Sequence, residues 1–262
     1  MKITLITIIM LTTSTGLFAQ PTSPLDSLII EGKAMLDRTQ QVWQESEFLQ
    51  TRAHFERLLS ASEHQDLVNY YLALTDLRLV FFYMGKDNKD MAKQYVNEGI
   101  RYAEKATDLN PGMADAYSLL SSLVGNKIGL SPMQGMFLGP KSGHAMQKAM
   151  EIDPTNPRNY LIAGESAYHT PSMFGGGKDK AFKNLKRSIE LFDSVKITNP
   201  LLPDWGQDEA YTWLGICYRD MGDTTAAIEQ FNNALKVNPD YGWVRYTLLP
   251  ALSNKNNAEK SQ

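Results

Sequence analysis

Apolar positions in residues 208–241 fall into two helical stripes with a turn between them. Tyr211, Leu214 and Tyr218 recur at i, i+3 and i+7, which sets them on one face of a first helix. Gly222 is a helix stop, and Asp223-Thr224 supply N-cap chemistry for a second helix. On that second helix Ala227, Phe231 and Ala234 recur at i, i+4 and i+7. The alanines let two helices approach closely while the aromatic rings fill the gaps. Pro239 stops the second helix and opens the next turn.

The closing pattern of this unit, Ala-x-x-x-x-Pro, occurs twice more upstream, as Ala106 to Pro111 and Ala149 to Pro154. Each is followed by a new helix start. Tyr160, Ala163, Gly164 and Ala167 repeat the first-helix face, and Ala181, Leu185 and Ser188 repeat the second-helix stripe. Pro111 and Pro154 are 43 residues apart, longer than the 34-residue unit 208–241. The excess falls in 125–141, where Pro132, Gly135, Gly139 and Pro140 argue against one clean helix. A smaller insertion, 170–177, divides the next unit, and a connector, 199–206, leads to the last one. Earlier helices are expected over 66–84 and 89–109, and a helix pair with weaker signature over 25–43 and 48–59. Residues 241–252 read as a terminal capping helix and 253–262 as a polar tail.

The residues Tyr211, Leu214, Gly215, Tyr218, Gly222, Ala227, Phe231, Ala234 and Pro239 resemble the tetratricopeptide repeat (TPR), with Tyr211 in place of the usual Trp. That resemblance covers most of 66–241. It implies an all-α fold, a right-handed TPR-like helical solenoid of about four to five helix pairs with inserted loops. The expected organisation is an address segment at 1–19, a helix pair at 20–65, a degenerate array at 66–241 and a cap and tail at 242–262. The stretches Asp153-Pro154-x-Asn156-Pro157-Arg158, Pro171-x-x-Phe174-Gly175-Gly176-Gly177-Lys178 and Pro203-x-Trp205-Gly206 resemble exported TPR proteins of Bacteroidota-type bacteria. The insertion with its following Lys-Ala helix is more loosely similar to periplasmic TPR lipoproteins associated with TRAP-type transporters. That family implies a helper that contacts a solute-binding protein and holds a hydrophobic ligand, although the chain has no lipobox cysteine. Neither family implies catalytic residues.

The first residues read Met1-Lys2, an apolar run from Ile3 to Leu11, and small or polar residues ending at Ala19. This is the pattern of a secretory signal peptide, with Leu17 an unfavourable residue three positions before the cut. The expectation is an exported, periplasmic protein that does not span the membrane once the segment is removed. Lys and Arg number 26 against 29 Asp and Glu, a net charge of −3. That balance argues against nucleic acid as the main partner. Cys217 is the single cysteine, so neither an internal disulfide framework nor a cysteine zinc cluster forms, and a buried small apolar role is expected for it.

Chemical motifs are few. Gly175-Gly176-Gly177-Lys178 is followed by Asp179 rather than Ser or Thr and has no strand before it. It reads as a tight turn with Phe174 plugging the core. His54, His64, His144 and His169 do not pair at helical spacing, and no nucleophile elbow is present. Met133, Met136, Met146 and Met150 suit either copper handling or adaptable packing, with packing favoured. No cofactor and no enzymatic activity are expected. Binding in a concave groove is the expected role. Its candidate lining is Ser118, Ser122 and Asn126, then Leu161, Glu165, Tyr168 and His169, then Thr212, Ile216, Arg219 and Asp220. Met133, Met136 and Phe137 form a separate candidate, either a lid for a ligand or a cover for the solenoid edge. The expected partner is a protein or peptide, the alternative a small hydrophobic ligand.

Overall fold

The computed structural model describes residues 23–252 and folds them into helices, with no strand among the described residues. The address segment and the polar tail expected at the two ends lie outside the described residues. The order is α1 (Pro24–Val42), α2 (Glu45–Leu58), α3 (Gln65–Gly85), α4 (Lys89–Leu109), α5 (Ala114–Leu130), α6 (Gly135–Ile152), α7 (Pro157–His169), α8 (Lys178–Ser194), α9 (Gln207–Asp220) and α10 (Thr224–Val237). A terminal helical segment, 242–252, follows and contains a π-helical turn at Val244–Leu248.

Local signals set the boundaries. Ser23, Asn88, Asn156 and Asp223 accept hydrogen bonds from the first free backbone N–H groups of α1, α4, α7 and α10. Pro24 and Pro157 sit in first turns, where a missing N–H costs nothing. Each odd helix packs antiparallel on the even helix after it, and successive odd helices lie side by side. The result is a helical solenoid. Within three pairs the close approach is set by a glycine: a β-carbon on Gly32, Gly164 or Gly215 would lie 2.4, 2.7 or 2.6 Å from Phe55, Leu185 or Phe231. The repeat geometry therefore reaches into the first pair, whose sequence carries little of the signature.

The core is not shared equally along the stack. One large cluster joins α1–α5, Ala145 of α6 and Leu201. Two smaller clusters fill α7–α9 and the C-terminal end, with Phe231 and Val244 at the centre of the last. Cys217 is buried in the α7–α9 cluster.

Residues 125–141 are not one clean helix, as their Pro and Gly residues argue, but the excess there is mostly helical. Helix α5 runs on through Gly125 and Gly129, only 131–134 turn, and α6 resumes at Gly135 with Pro140 inside it. The glycines at 125, 129, 139 and 143 face open space, so helix propensity is the main cost. Pro140 removes only the bond to the Met136 carbonyl, in the exposed first turns. The segment is thus a lengthened helical hairpin. Phe174 does not plug the core: it is 72% exposed, at the tip of the α7–α8 turn. Gly175 and Gly177 do take positive φ there, 83° and 110°, as a tight turn demands.

Candidate functional site

The odd helices carry the surface on which a solenoid ordinarily binds. Its N-terminal half is already filled, by the chain's own connector between α8 and α9. Lys33 of α1 donates to the carbonyls of Pro200 (2.6 Å) and Leu202 (2.7 Å) and pairs with Asp204 at 3.0 Å. The Tyr71 hydroxyl of α3 donates to the Leu201 carbonyl at 2.7 Å, while the Leu201 side chain joins the large core. Trp205 donates its indole N–H to the Tyr70 hydroxyl at 2.8 Å and packs against both the large and the α7–α9 clusters. Arg158 of α7 is ion-paired with Asp115 of α5 and also donates to the Trp205 carbonyl. The connector is gripped as an extended peptide would be: one apolar anchor in the core and backbone carbonyls held by side chains.

Behind the connector lies a charged cluster. Arg78 donates to Glu209 at 3.1 Å, and Gln40 of α1 donates to the same oxygen at 2.6 Å, so α9 reaches the first helix. Burial pushes the Glu209 carboxyl up, against the pull of Arg78. Desolvation and the neighbouring Glu209 push Glu165 well above the usual carboxylate range, opposed by a hydrogen bond from Trp213 and by Arg78. Asp37 is raised too, first by burial and then by Asp204.

The C-terminal half of the same surface is different. Tyr168 and His169 at the end of α7, Trp213 of α9 and Trp243 of the terminal segment form a continuous aromatic row. Ring centroids are 5.1 Å apart for Tyr168–His169, 5.3 Å for His169–Trp213 and 6.0 Å for Trp213–Trp243. His169 is exposed and Trp243 is 40% exposed. Partial desolvation lowers the His169 pKa, which favours the neutral ring. Beside the row, Asp220 accepts from Tyr168 (2.7 Å) and Lys178 (2.9 Å) through one oxygen and from Arg219 (3.0 Å) through the other. Desolvation pushes that carboxyl up, but these three donors outweigh it and bring it down to about 2.

The sequence-derived candidates separate into three groups. Tyr168, His169, Arg219 and Asp220 come together at the aromatic row, with Glu165 behind them through Trp213. Ser118, Ser122, Leu161, Thr212 and Ile216 are buried. Ser118 and Thr212 donate to carbonyls of their own helices, those of Asp115 and Asp208, and Asn126 does the same toward Ser122. A partner reaches none of the five buried residues in this conformation, because close helix packing and the connector cover the surface on which they were expected. Met133, Met136 and Phe137 stand apart at the α5–α6 tip, 94%, 82% and 78% exposed. They cover nothing, unlike the edge-covering role considered for them. Sequence reasoning missed Trp213 and Trp243 as site residues. The i+3 and i+4 offsets that put Trp213 near Ile216 and Cys217 mark it only as core.

No group of three or more His, Cys, Asp or Glu able to hold a metal ion occurs among the described residues. No helix among them is long and apolar enough to cross a membrane.

The comparisons with known proteins define the class. Residues 208–241 match the tetratricopeptide repeat family model, and the chain is a TPR-type helical solenoid. Among solved structures it is similar to the HusA haemophore from Porphyromonas gingivalis, with a TM-score of 0.64 and 24% identity over 77% of this chain and 96% of that one. It is also similar to TTC0263, a TPR protein of Thermus thermophilus, with a TM-score of 0.58 and 20% identity over 84% of this chain and 98% of that one. At these identities the likeness is one of fold. No curated protein sequence matches the chain.

Proposed function

We propose that the protein is an exported, periplasmic binding scaffold that performs no chemistry itself and holds a protein or peptide partner. TPR repeats generally serve as interaction scaffolds, and this chain carries one. The observation that carries the reading is the aromatic row Tyr168–His169–Trp213–Trp243. It lies open on the odd-helix surface while the connector fills the rest. Partly exposed Trp and Tyr beside Arg219 are the residue types that dominate interface energetics. Photo-crosslinking from position 169 in intact cells, followed by identification of the linked protein, tests it. The expected result is one partner recovered with the native chain and lost with Trp243→Ala. Recovery of the same partner by both chains sinks it.

A second reading, a small hydrophobic ligand handled for a transport system, is favoured by the likeness to HusA, a haemophore. A planar apolar molecule stacks well on rings of this kind. Titration with haemin reads it directly: a shifted Soret band lost in Trp213→Ala supports this reading over the first, and an unchanged spectrum removes it.

A further inference from the structure

A second surface is unused by that function. Successive antiparallel pairs bring the α5–α6 turn and the α7–α8 turn to the same edge of the solenoid, because α5 and α7 lie side by side. Both tips carry large apolar side chains in water: Met133, Met136 and Phe137 on one, Met173 (83% exposed) and Phe174 (72%) on the other. Scattered single apolar residues on a surface are ordinary, but five on two neighbouring tips call for an occupant.

The charge around them is one-sided. Between Asp115 and Glu151 there is no carboxylate, while Lys127, Lys141 and Lys148 fall in that stretch. From Ser166 to Ile189 the single acid is Asp179, against Lys178, Lys180, Lys183, Lys186 and Arg187. Within two turns of the tips, Lys127, Lys141, Lys178, Lys180 and Lys183 stand against Asp179, with Asp220 of the neighbouring α9 end pairing Lys178, on a chain whose net charge is −3. Lys141 and Lys178 are held by Glu104 and Asp220, but Lys127, Lys148, Lys183 and Lys186 make no ion pair among the described residues. A hollow beside the Phe174 tip is lined by Lys178, Lys180 and Lys183, with Asp179 opposing them.

We infer that this edge docks on an anionic lipid bilayer, the two tips entering the headgroup–acyl boundary and the lysines facing lipid phosphates. A protein partner of the ordinary kind offers anchors a pocket. Here the apolar groups stand outward on convex turns, and what they fit is a soft apolar layer beneath a negative one. Docking at this edge leaves the aromatic row on the odd-helix surface free, so the inference stands independently of the proposed partner.

Flotation of the full chain with vesicles tests it. One set is phosphatidylglycerol mixed with phosphatidylethanolamine, the other phosphatidylcholine alone. The expected result is binding to the anionic set that weakens as salt rises, with little on phosphatidylcholine. Met136→Ser with Phe137→Ser and Phe174→Ser is expected to weaken anionic binding about tenfold or more. Lys183→Glu with Lys186→Glu is expected to weaken it and flatten its salt dependence. Every substituted side chain lies outside the hydrophobic core clusters, so unchanged thermal unfolding serves as the control for folding. The apolar run 3–11 is common to all three chains, so only differences between them report on the edge. Equal binding by the three chains overturns the inference. So does a loss of binding by the variants that is the same size on both vesicle types, or loss of a dimer rather than of lipid binding in the apolar variant. Loss of the partner crosslink at position 169 would instead bear only on the proposed function.

Discussion

The two halves of the odd-helix surface are built from the same repeat and end in opposite states. Over α1, α3 and α7 the connector 199–206 lies in place, with Leu201 in the core and Trp205 bridging two clusters. Over the ends of α7 and α9 the row Tyr168–His169–Trp213–Trp243 keeps His169 and Trp243 exposed among the described residues, with Tyr168 and Trp213 half-buried beneath them. A solenoid unit buries its apolar face only against neighbours, so whatever lies on its inner side is an extra. In one half that extra is the chain itself. In the other, it is the partner of the proposed function.

The largest effect that sharpens this contrast is on stability. Leu201→Ala is expected to lower unfolding free energy by roughly 2–5 kcal/mol, as for other buried Leu truncations. Trp243→Ala, on the open half, is expected to cost about 1 kcal/mol, the worth of one partly exposed ring pair. Urea unfolding of both variants checks this, and equal losses would erase the difference between the halves.

Next comes the polar grip. Lys33→Ala leaves the Pro200 and Leu202 carbonyls and the Asp204 carboxylate without their donor. A loss of about 1–3 kcal/mol is expected in the same measurement. A loss of similar size, about 1–3 kcal/mol from overpacking, is expected for Gly32→Ala against Phe55. Gly215→Ala against Phe231 should match it if both ends of the stack share one geometry.

The smallest effect is in pH dependence, and here the halves should differ in sign. In the filled half, Glu209 and Asp37 bind protons more tightly when folded. Their contribution is therefore present below the ordinary carboxylate range and is lost as pH rises through their raised values. In the open half, Asp220 sits at about 2 against 3.8 when free. Its contribution is present above about pH 4 and is lost as pH falls toward 2. Unfolding curves of Glu209→Gln and Asp220→Asn across this range separate the two. The first should flatten the decline above about pH 4, the second the decline below it.

Much of the fold was legible because helix packing is periodic and local. The helix 89–109 and the last unit's stripe Ala227–Phe231–Ala234 are where apolar spacing and caps put them. The first pair was harder to read, since its glycine–aromatic contact, Gly32 with Phe55, lacks the flanking signature. The connector was legible at 199–206 from its Pro, Asn, Asp and Gly residues, but its burial was not, since that depends on Tyr71, 130 positions away in sequence. Phe174 failed for a related reason: nothing local says whether an apolar residue beside a turn points inward or outward. The candidate groove residues shared that fate. Helical phase found the face, and the connector decided which part of it stays open.

Tyr71→Phe tests whether the connector is a structural filling of the inner surface. This change removes only the hydroxyl that donates to the Leu201 carbonyl. Its cost is measured in the native chain and again in a chain whose residues 199–203 are replaced by Gly and Ser and which also carries Lys33→Ala and Trp205→Ala, so that no anchor holds the 201 carbonyl at Tyr71. A loss of about 0.5–1.5 kcal/mol is expected in the first and close to none in the second. The same cost in both chains would contradict it.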